Sequence, residues 1–176
     1  MSLKQVITRG IVGIESFIDL IGKATAWVAL LMISLVAINV LLRYTLSMGS
    51  VWAQELEWHL LAGLILLGMS HALQRGDNVR VDLFYARYTS RTQFVVDGVS
   101  VLLIILVAML FVYLSLNYVA QSYAINEMSP DPRGIPHRWL VKSLIPIGYT
   151  LLALQSVGQF MRLVLTYFYP KEMAHV

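Results

Sequence analysis

Four long runs of apolar residues constrain this chain more than any other feature of its sequence. They cover residues 24–42, 56–73, 98–123 and 143–161, and only the second contains a charged residue. A helix that crosses the hydrocarbon core of a bilayer needs about 20 mostly apolar residues. The sequence therefore predicts an all-α integral membrane protein with four transmembrane helices.

The composition agrees with a membrane environment. The chain is 58% hydrophobic and 13% charged, whereas a soluble domain carries about 25% charged residues to cover its surface. Its 176 residues suit a single membrane domain, 1–176, without a soluble catalytic module beside it.

The basic residues predict the orientation of the helices. Most of them fall before the first run, between the second and third runs, and after the fourth run, which places them on one side of the membrane. Loops rich in Lys and Arg face the cytoplasm. We therefore expect both termini to be cytoplasmic, with the opposite side holding fewer basic residues, namely Arg43, Arg133, Arg138 and Lys142.

Residues 1–23 place apolar side chains at helical spacing. This pattern predicts an N-terminal amphipathic helix, which either lies on the membrane surface or extends the first transmembrane helix into the cytoplasm.

Further along, Ser90 and Gln93 have the spacing of a capping box, with Ser90 as the N-cap of the third helix. A helix from there to Tyr123 exceeds the bilayer thickness, so it must tilt or project.

Polar residues concentrate at the outer ends of the first two helices. Arg43 follows Asn39 by one turn, and two carboxylates, Glu55 and Glu57, open the second helix. We interpret the group as structural, with Arg43 paired to Glu55 or Glu57; a direct role in transport is the alternative. The candidates for helix pairing or partner contact at this end are Asn39, Arg43, Trp52, Glu55, Glu57 and His59.

Two loops supply further candidates for a partner interface. The run after the second helix contains Arg75, Arg80 and Asp82, whose charges could form internal ion pairs, meet a neighbouring subunit or bind anionic lipid headgroups. The external loop before the fourth helix is rich in proline and stiff, and could dock a partner. Its candidates are Asp131, Arg133, Arg138 and Lys142.

No residue pattern suggests catalysis. The chain has no cysteine, and it shows no phosphate loop, no metal-ligand cluster and no nucleophile beside a base. His59 and His71 lie on one helix about 18 Å apart along its axis, too far to bind one haem iron. We expect no enzyme activity, no cofactor and no metal.

The spacing of several short motifs resembles the small membrane subunit, the Q-type small permease, of tripartite ATP-independent periplasmic (TRAP) transporters. The resemblance runs from about residue 15 to about residue 165. It rests on Asn39-Val40-x-x-Arg43-Tyr44, Trp52-Ala53-Gln54-Glu55, Gly68, the run from Gln74 to Asp82, and the segment from Asp131 to Trp139. Asn78 stands where the family often has histidine, so the role of that position is open.

The resemblance implies a bacterial inner-membrane transporter of three parts. Its partners would be a large membrane permease subunit, a periplasmic solute-binding protein and membrane lipids, with no nucleic acid. The small subunit would scaffold the large one during sodium-coupled uptake of an organic acid, typically a carboxylate. The main alternative is a self-sufficient four-helix transporter acting as a homo-oligomer; a membrane anchor of a redox enzyme is the third class.

Overall fold

The chain folds into four long helices, as the apolar runs predict. A computed structural model describes residues 3–76 and 85–169, and this part contains helices and loops but no strand. The helices are α1 (Leu3–Leu46), α2 (Val51–Arg75), α3 (Ser90–Ala124) and α4 (Trp139–Phe168). Each is long and apolar enough to cross a membrane. Two candidate interface residues, Arg80 and Asp82, lie outside the described residues, and so does Asn78.

The first helix is much longer than one membrane span. Its 44 residues extend about 66 Å at 1.5 Å per residue, about twice the thickness of the hydrocarbon core. The amphipathic N-terminal segment is helical, as predicted, and continues into the first span without a break. Its side chains Ile11 and Ile18 are buried, and Ile14 lies against Gly158 of α4. The segment is therefore an extension of the span that packs on the bundle.

Helix α4 is the centre of the bundle. It contacts α1, α2 and α3, whereas α3 packs chiefly on α4, and α1 packs on α2 and α4. Small residues make these contacts close: a Cβ atom added to Gly148 would lie 2.5 Å from the carbonyl oxygen of Leu66 in α2. Glycine at such a position lets two membrane helices approach backbone to backbone.

Much of the apolar surface of α1 and α3 faces outward. Large side chains such as Trp27 and Tyr113 are 73% and 69% exposed. A protein in water does not expose apolar surface on this scale. Lipid or another membrane protein must therefore cover these faces.

The N-terminus of α3 corrects the predicted cap. Thr89 is the N-cap, with φ −68° and ψ 156°, and its hydroxyl accepts a hydrogen bond from the backbone N–H of Thr92. Ser90 is the first helical residue, and the Gln93 side chain donates to the carbonyl oxygen of Tyr85 instead of reaching back to the cap. Both Thr89 and Ser90 carry a suitable hydroxyl, but the extended backbone that a cap needs occurs at Thr89.

Replacing Gly148 with alanine should destabilise the bundle, because the new methyl group meets the α2 backbone, which cannot rotate away as a side chain can. Overpacking of this kind costs about 1–3 kcal/mol. Gly68→Ala is the matched control, since a Cβ there meets nothing within 4 Å. Unfolding by SDS in mixed micelles measures both variants. Equal stability of the two would contradict the close approach of α4 to α2.

Candidate functional site

The loop between α3 and α4, residues 125–138, is folded back on itself by backbone hydrogen bonds. The N–H of Arg138 donates to the carbonyl of Glu127 at 3.0 Å, and the N–H of Gly134 donates to that of Asp131 at 3.0 Å. Three residues with side chains have positive φ: Asn126 at 46°, Arg133 at 68° and His137 at 60°. This backbone conformation is uncommon outside glycine, so the loop adopts a specific fold that its other contacts must hold.

Glu55, at the start of α2, is the main contact that holds the loop. Its carboxylate accepts hydrogen bonds from the hydroxyl of Ser129 and from the backbone N–H of Ile135. A Cβ atom at Gly134 would overlap the side chain of Ser129 and lie 2.7 Å from Oε2 of Glu55, so the close packing of the loop at this point favours glycine. Glu55 thus joins α2 to the loop between α3 and α4.

A second charged contact ties the loop to α4. The ammonium group of Lys142 forms an ion pair with Glu127 and lies 4.0 Å from the centre of the Tyr118 ring in α3. The hydrogen bond from Lys142 lowers the pKa of the Glu127 carboxyl below its ordinary value of 4.5. The stabilising contribution of this pair is therefore present above that value and is lost as the pH falls through the lowered pKa.

The neighbouring histidines complete this end of the bundle. Nδ1 of His59 lies 2.6 Å from the carbonyl oxygen of Glu55; because a carbonyl only accepts, Nδ1 carries the proton. His137 contacts the side-chain oxygen of Asn126 through Nδ1 at 2.9 Å. Both contacts are local, and neither brings a second histidine within reach of the same ligand. No group of three metal-binding side chains occurs in the described ranges.

At this end of the bundle, the contact between helices α1 and α2 is made by Asn39, not by Arg43. The amide of Asn39, a buried residue, donates to Oε1 of Glu57 at 2.9 Å. The expected ion pair of Arg43 with Glu55 or Glu57 does not form: Arg43 is exposed, and no ion pair joins it to another residue of the described part. Asn39 lies one helical turn closer to the membrane centre than Arg43, and it is the side chain that contacts the Glu57 carboxylate.

The remaining candidates divide between the loop surface and the opposite end of the bundle. Trp52 is about half exposed, and Asp131 and Arg133 are exposed on the loop between α3 and α4. Arg138 is half-buried near the Glu55 and Glu127 carboxylates, where its charge helps to keep the Glu127 pKa low. Arg75 lies at the other end, where it pairs with Asp19 of α1 at 2.9 Å.

Sequence reasoning missed the ion-pair network at that other end. Asp19 also pairs with Lys23 at 2.7 Å, and Glu15 pairs with Arg162 of α4 at 2.6 Å. The side-chain amide of Gln74 donates to the backbone carbonyl of Glu15 at 3.0 Å. The spacing of Asp19 and Lys23, four residues apart on one helix, was the available signal. The cross-helix pairs depend on α1 packing beside α2 and α4, which spacing does not reveal.

Between the two ends, the interior polar groups are neutral. Ser70, Ser115 and Ser156 donate to backbone carbonyls of their own helices, and Gln155 is buried in α4. The runs 24–42, 98–123 and 143–161 contain no charged residue. The described structure thus holds its charged contacts at the ends of the helices, where they connect one element to another.

These features define a multi-pass membrane protein whose polar contacts join helices and loops. Comparison with protein families identifies it further: residues 32–166 match the model described as "Tripartite ATP-independent periplasmic transporters, DctQ component". The match covers more than half of the chain, and the protein belongs to this family of small TRAP permease subunits in the inner membrane. A comparison with curated proteins gave no match.

Removing the Glu55 carboxylate should release the loop between α3 and α4. Trypsin can cleave after Arg133 and Arg138 only when the loop opens. Because the Glu55 carboxylate holds the loop at both Ser129 and Ile135, Glu55→Ala should raise the cleavage rate about tenfold or more. Glu57→Ala is the matched control, because its carboxylate contacts Asn39 and not the loop. Equal cleavage of both variants would show that Glu55 does not hold the loop.

Proposed function

We propose that this chain is a non-catalytic scaffold for the large membrane permease subunit of a TRAP transporter. In this role it supports sodium-coupled uptake of an organic acid, a carboxylate, that a periplasmic solute-binding protein delivers. The observation that carries the proposal is the family match over residues 32–166. The geometry of the charged groups and of the exposed faces supports it.

The carboxylates at the outer end are engaged in structural contacts. Glu55 holds the external loop and Glu57 holds Asn39 of α1. In a transporter, an ionisable residue of the membrane helices commonly marks the path of protons, ions or substrate. Neither of these carboxylates is available for exchange without breaking a contact between elements, so the arrangement favours a static scaffold over the homo-oligomeric alternative.

The exposed faces of α1 and α3 provide the surface that a scaffold needs. Arg43 lies at the outer end of α1, in its last turn, beside large exposed residues such as Leu41 and Tyr44. A cation at a helix C-terminus is favoured by the helix dipole, but its side chain remains available for an acidic group of another protein. We assign Arg43 to the contact with the large subunit.

A pull-down of the tagged chain from its native membranes in mild detergent, followed by mass spectrometry, tests the scaffold. We expect a much larger polytopic protein at about a one-to-one ratio, as a specific permanent interface gives. Recovery of the chain alone, in a defined oligomer, would favour the self-sufficient transporter. Full substrate uptake by a stable large subunit without this chain would also contradict the scaffold role.

Arg43→Ala should lower the amount of assembled complex before it changes substrate affinity. Losing one partner of a desolvated charge pair costs about 2–5 kcal/mol, enough to reduce the recovered large subunit more than tenfold. Arg91→Ala, an exposed arginine near the start of α3, is the control and should leave recovery unchanged. A changed uptake affinity with normal assembly would assign Arg43 to transport instead.

Cysteine labelling tests the proposed orientation with both termini in the cytoplasm. The chain has no cysteine of its own, so single replacements report without background. Met128→Cys in the external loop should react with a membrane-impermeant maleimide in spheroplasts, because Met128 is 64% exposed. Ser90→Cys, before the third span, should react only after the membrane is permeabilised. The reverse pattern would invert the topology.

A further inference from the structure

A cleft opens between the first turns of α3 and the last turn of α4, away from the external loop. Its volume is about 410 Å³, and none of the residues that line it takes part in the ion pairs described above. Its lining includes Tyr85, Phe94, Asp97, Thr166 and Tyr167.

Among the described residues that line this cleft, Asp97 supplies the only carboxylate. It is half-buried, and its Oδ2 accepts a hydrogen bond from the hydroxyl of Tyr85 at 2.6 Å. No ion pair joins Asp97 to a basic side chain of the described part. A carboxylate at the membrane boundary is costly without a counterion, so the cleft favours a cationic ligand.

Aromatic rings form the wall beside this carboxylate. Phe94 stacks on Tyr167 with ring centres 4.1 Å apart and an interplanar angle of 23°, and Phe168 lies edge-on to Phe94 at 6.2 Å. The negative faces of aromatic rings attract ammonium groups, best where water is excluded. A small inorganic cation would instead need several oxygen ligands around it, whereas most of the surface that this cleft exposes is apolar.

The end of α4 adds to the negative potential. The helix ends at Phe168, and its last turn contains no basic residue, so no side chain of the helix offsets its negative end. The last carbonyl groups of a helix have no partner within it and favour a positive charge. Thr166 and Tyr167 bring this end of α4 to the cleft.

We propose that this cleft binds an organic ammonium group, with Asp97 as its counterion and the rings of Phe94 and Tyr167 as its wall. Aromatic residues gather at the headgroup level of a bilayer, and this cluster places the cleft at that depth. The ammonium can belong to the headgroup of phosphatidylethanolamine or to a free amine such as ethanolamine. Both sources present the same ammonium group, and experiments can distinguish between them.

Lipid retention by the full chain tests the headgroup source. The chain is purified with equal amounts of phosphatidylethanolamine and phosphatidylglycerol bearing the same acyl chains, and native mass spectrometry gives the ratio retained. We expect phosphatidylethanolamine to be favoured about tenfold, as one charged contact supplies. Asp97→Asn keeps an acceptor for Tyr85 but removes the charge, and should bring the ratio to about one.

Two further variants distinguish the cleft from general effects on the protein. Asp19→Asn makes the same substitution in the ion-pair network at the same end of the bundle, and should leave the lipid ratio unchanged. Phe94→Leu keeps an apolar side chain without the ring, and should reduce the preference part of the way. A preference that survives both Asp97→Asn and Phe94→Leu would place its origin elsewhere and overturn the proposal.

A free amine is tested in micelles that contain phosphatidylglycerol only. A rise in melting temperature with added ethanolamine, absent in Asp97→Asn, would support the site and assign the free amine as its ligand if no lipid preference is found. If neither phosphatidylethanolamine nor ethanolamine distinguishes the native chain from Asp97→Asn, the cleft is not an ammonium site.

Discussion

The fold depends on how closely α4 approaches its neighbours. Lipid tails are as apolar as leucine, so burying apolar side chains between membrane helices gives little of the driving force that it gives in water. Association must come from packing at short range and from polar contacts. Gly148 allows the first by bringing α4 to the backbone of Leu66, and the buried residues of α4 include further small ones such as Ala153, Ser156 and Gly158.

The polar contacts at the helix ends act on a helix arrangement that packing already favours. Exposed ion pairs such as Asp19–Lys23 contribute little to stability. Their value lies in where they connect: Arg162 joins α4 to Glu15, and Arg75 joins α2 to Asp19. Both acidic residues belong to the long N-terminal part of α1. These pairs thus hold the N-terminal extension of α1, which exceeds the length of one membrane span, against the bundle.

The existence of the helices could be predicted from the sequence, because a run of about 20 apolar residues has few alternatives in lipid. Their ends could not. The first run covers 24–42, but α1 extends over Leu3–Leu46, since the amphipathic segment is stabilised by packing on α4 that hydropathy does not show. The N-cap differed by one residue for a similar reason: Ser90 and Thr89 have the same chemistry and differ in backbone conformation.

The polar contacts were harder to predict than the helices. The sequence predicts that Asn39, Arg43, Glu55 and Glu57 lie at one end of the bundle, and the structure brings Asn39 and Glu57 into contact there. Lying at the same end does not determine which of these residues pair. The choice depends on helix rotation and depth: Asn39 lies deeper than Arg43 and faces Glu57. Glu55 turns toward a loop 74 residues further along the chain. No periodicity within one helix encodes a contact of that range.

The loop between α3 and α4 combines a fixed backbone with exposed charges, and this combination suits recognition. Its backbone is held by Glu55, by the Glu127–Lys142 pair and by its own hydrogen bonds, while Asp131 and Arg133 remain exposed. A loop that is already ordered loses less conformational entropy on binding than a flexible one. The three residues with positive φ are then part of the same arrangement, because strained backbone persists only where surrounding contacts hold it. Removing the Glu55 carboxylate would free the loop backbone and increase the conformational entropy lost on binding, even though every exposed charge of the loop would remain.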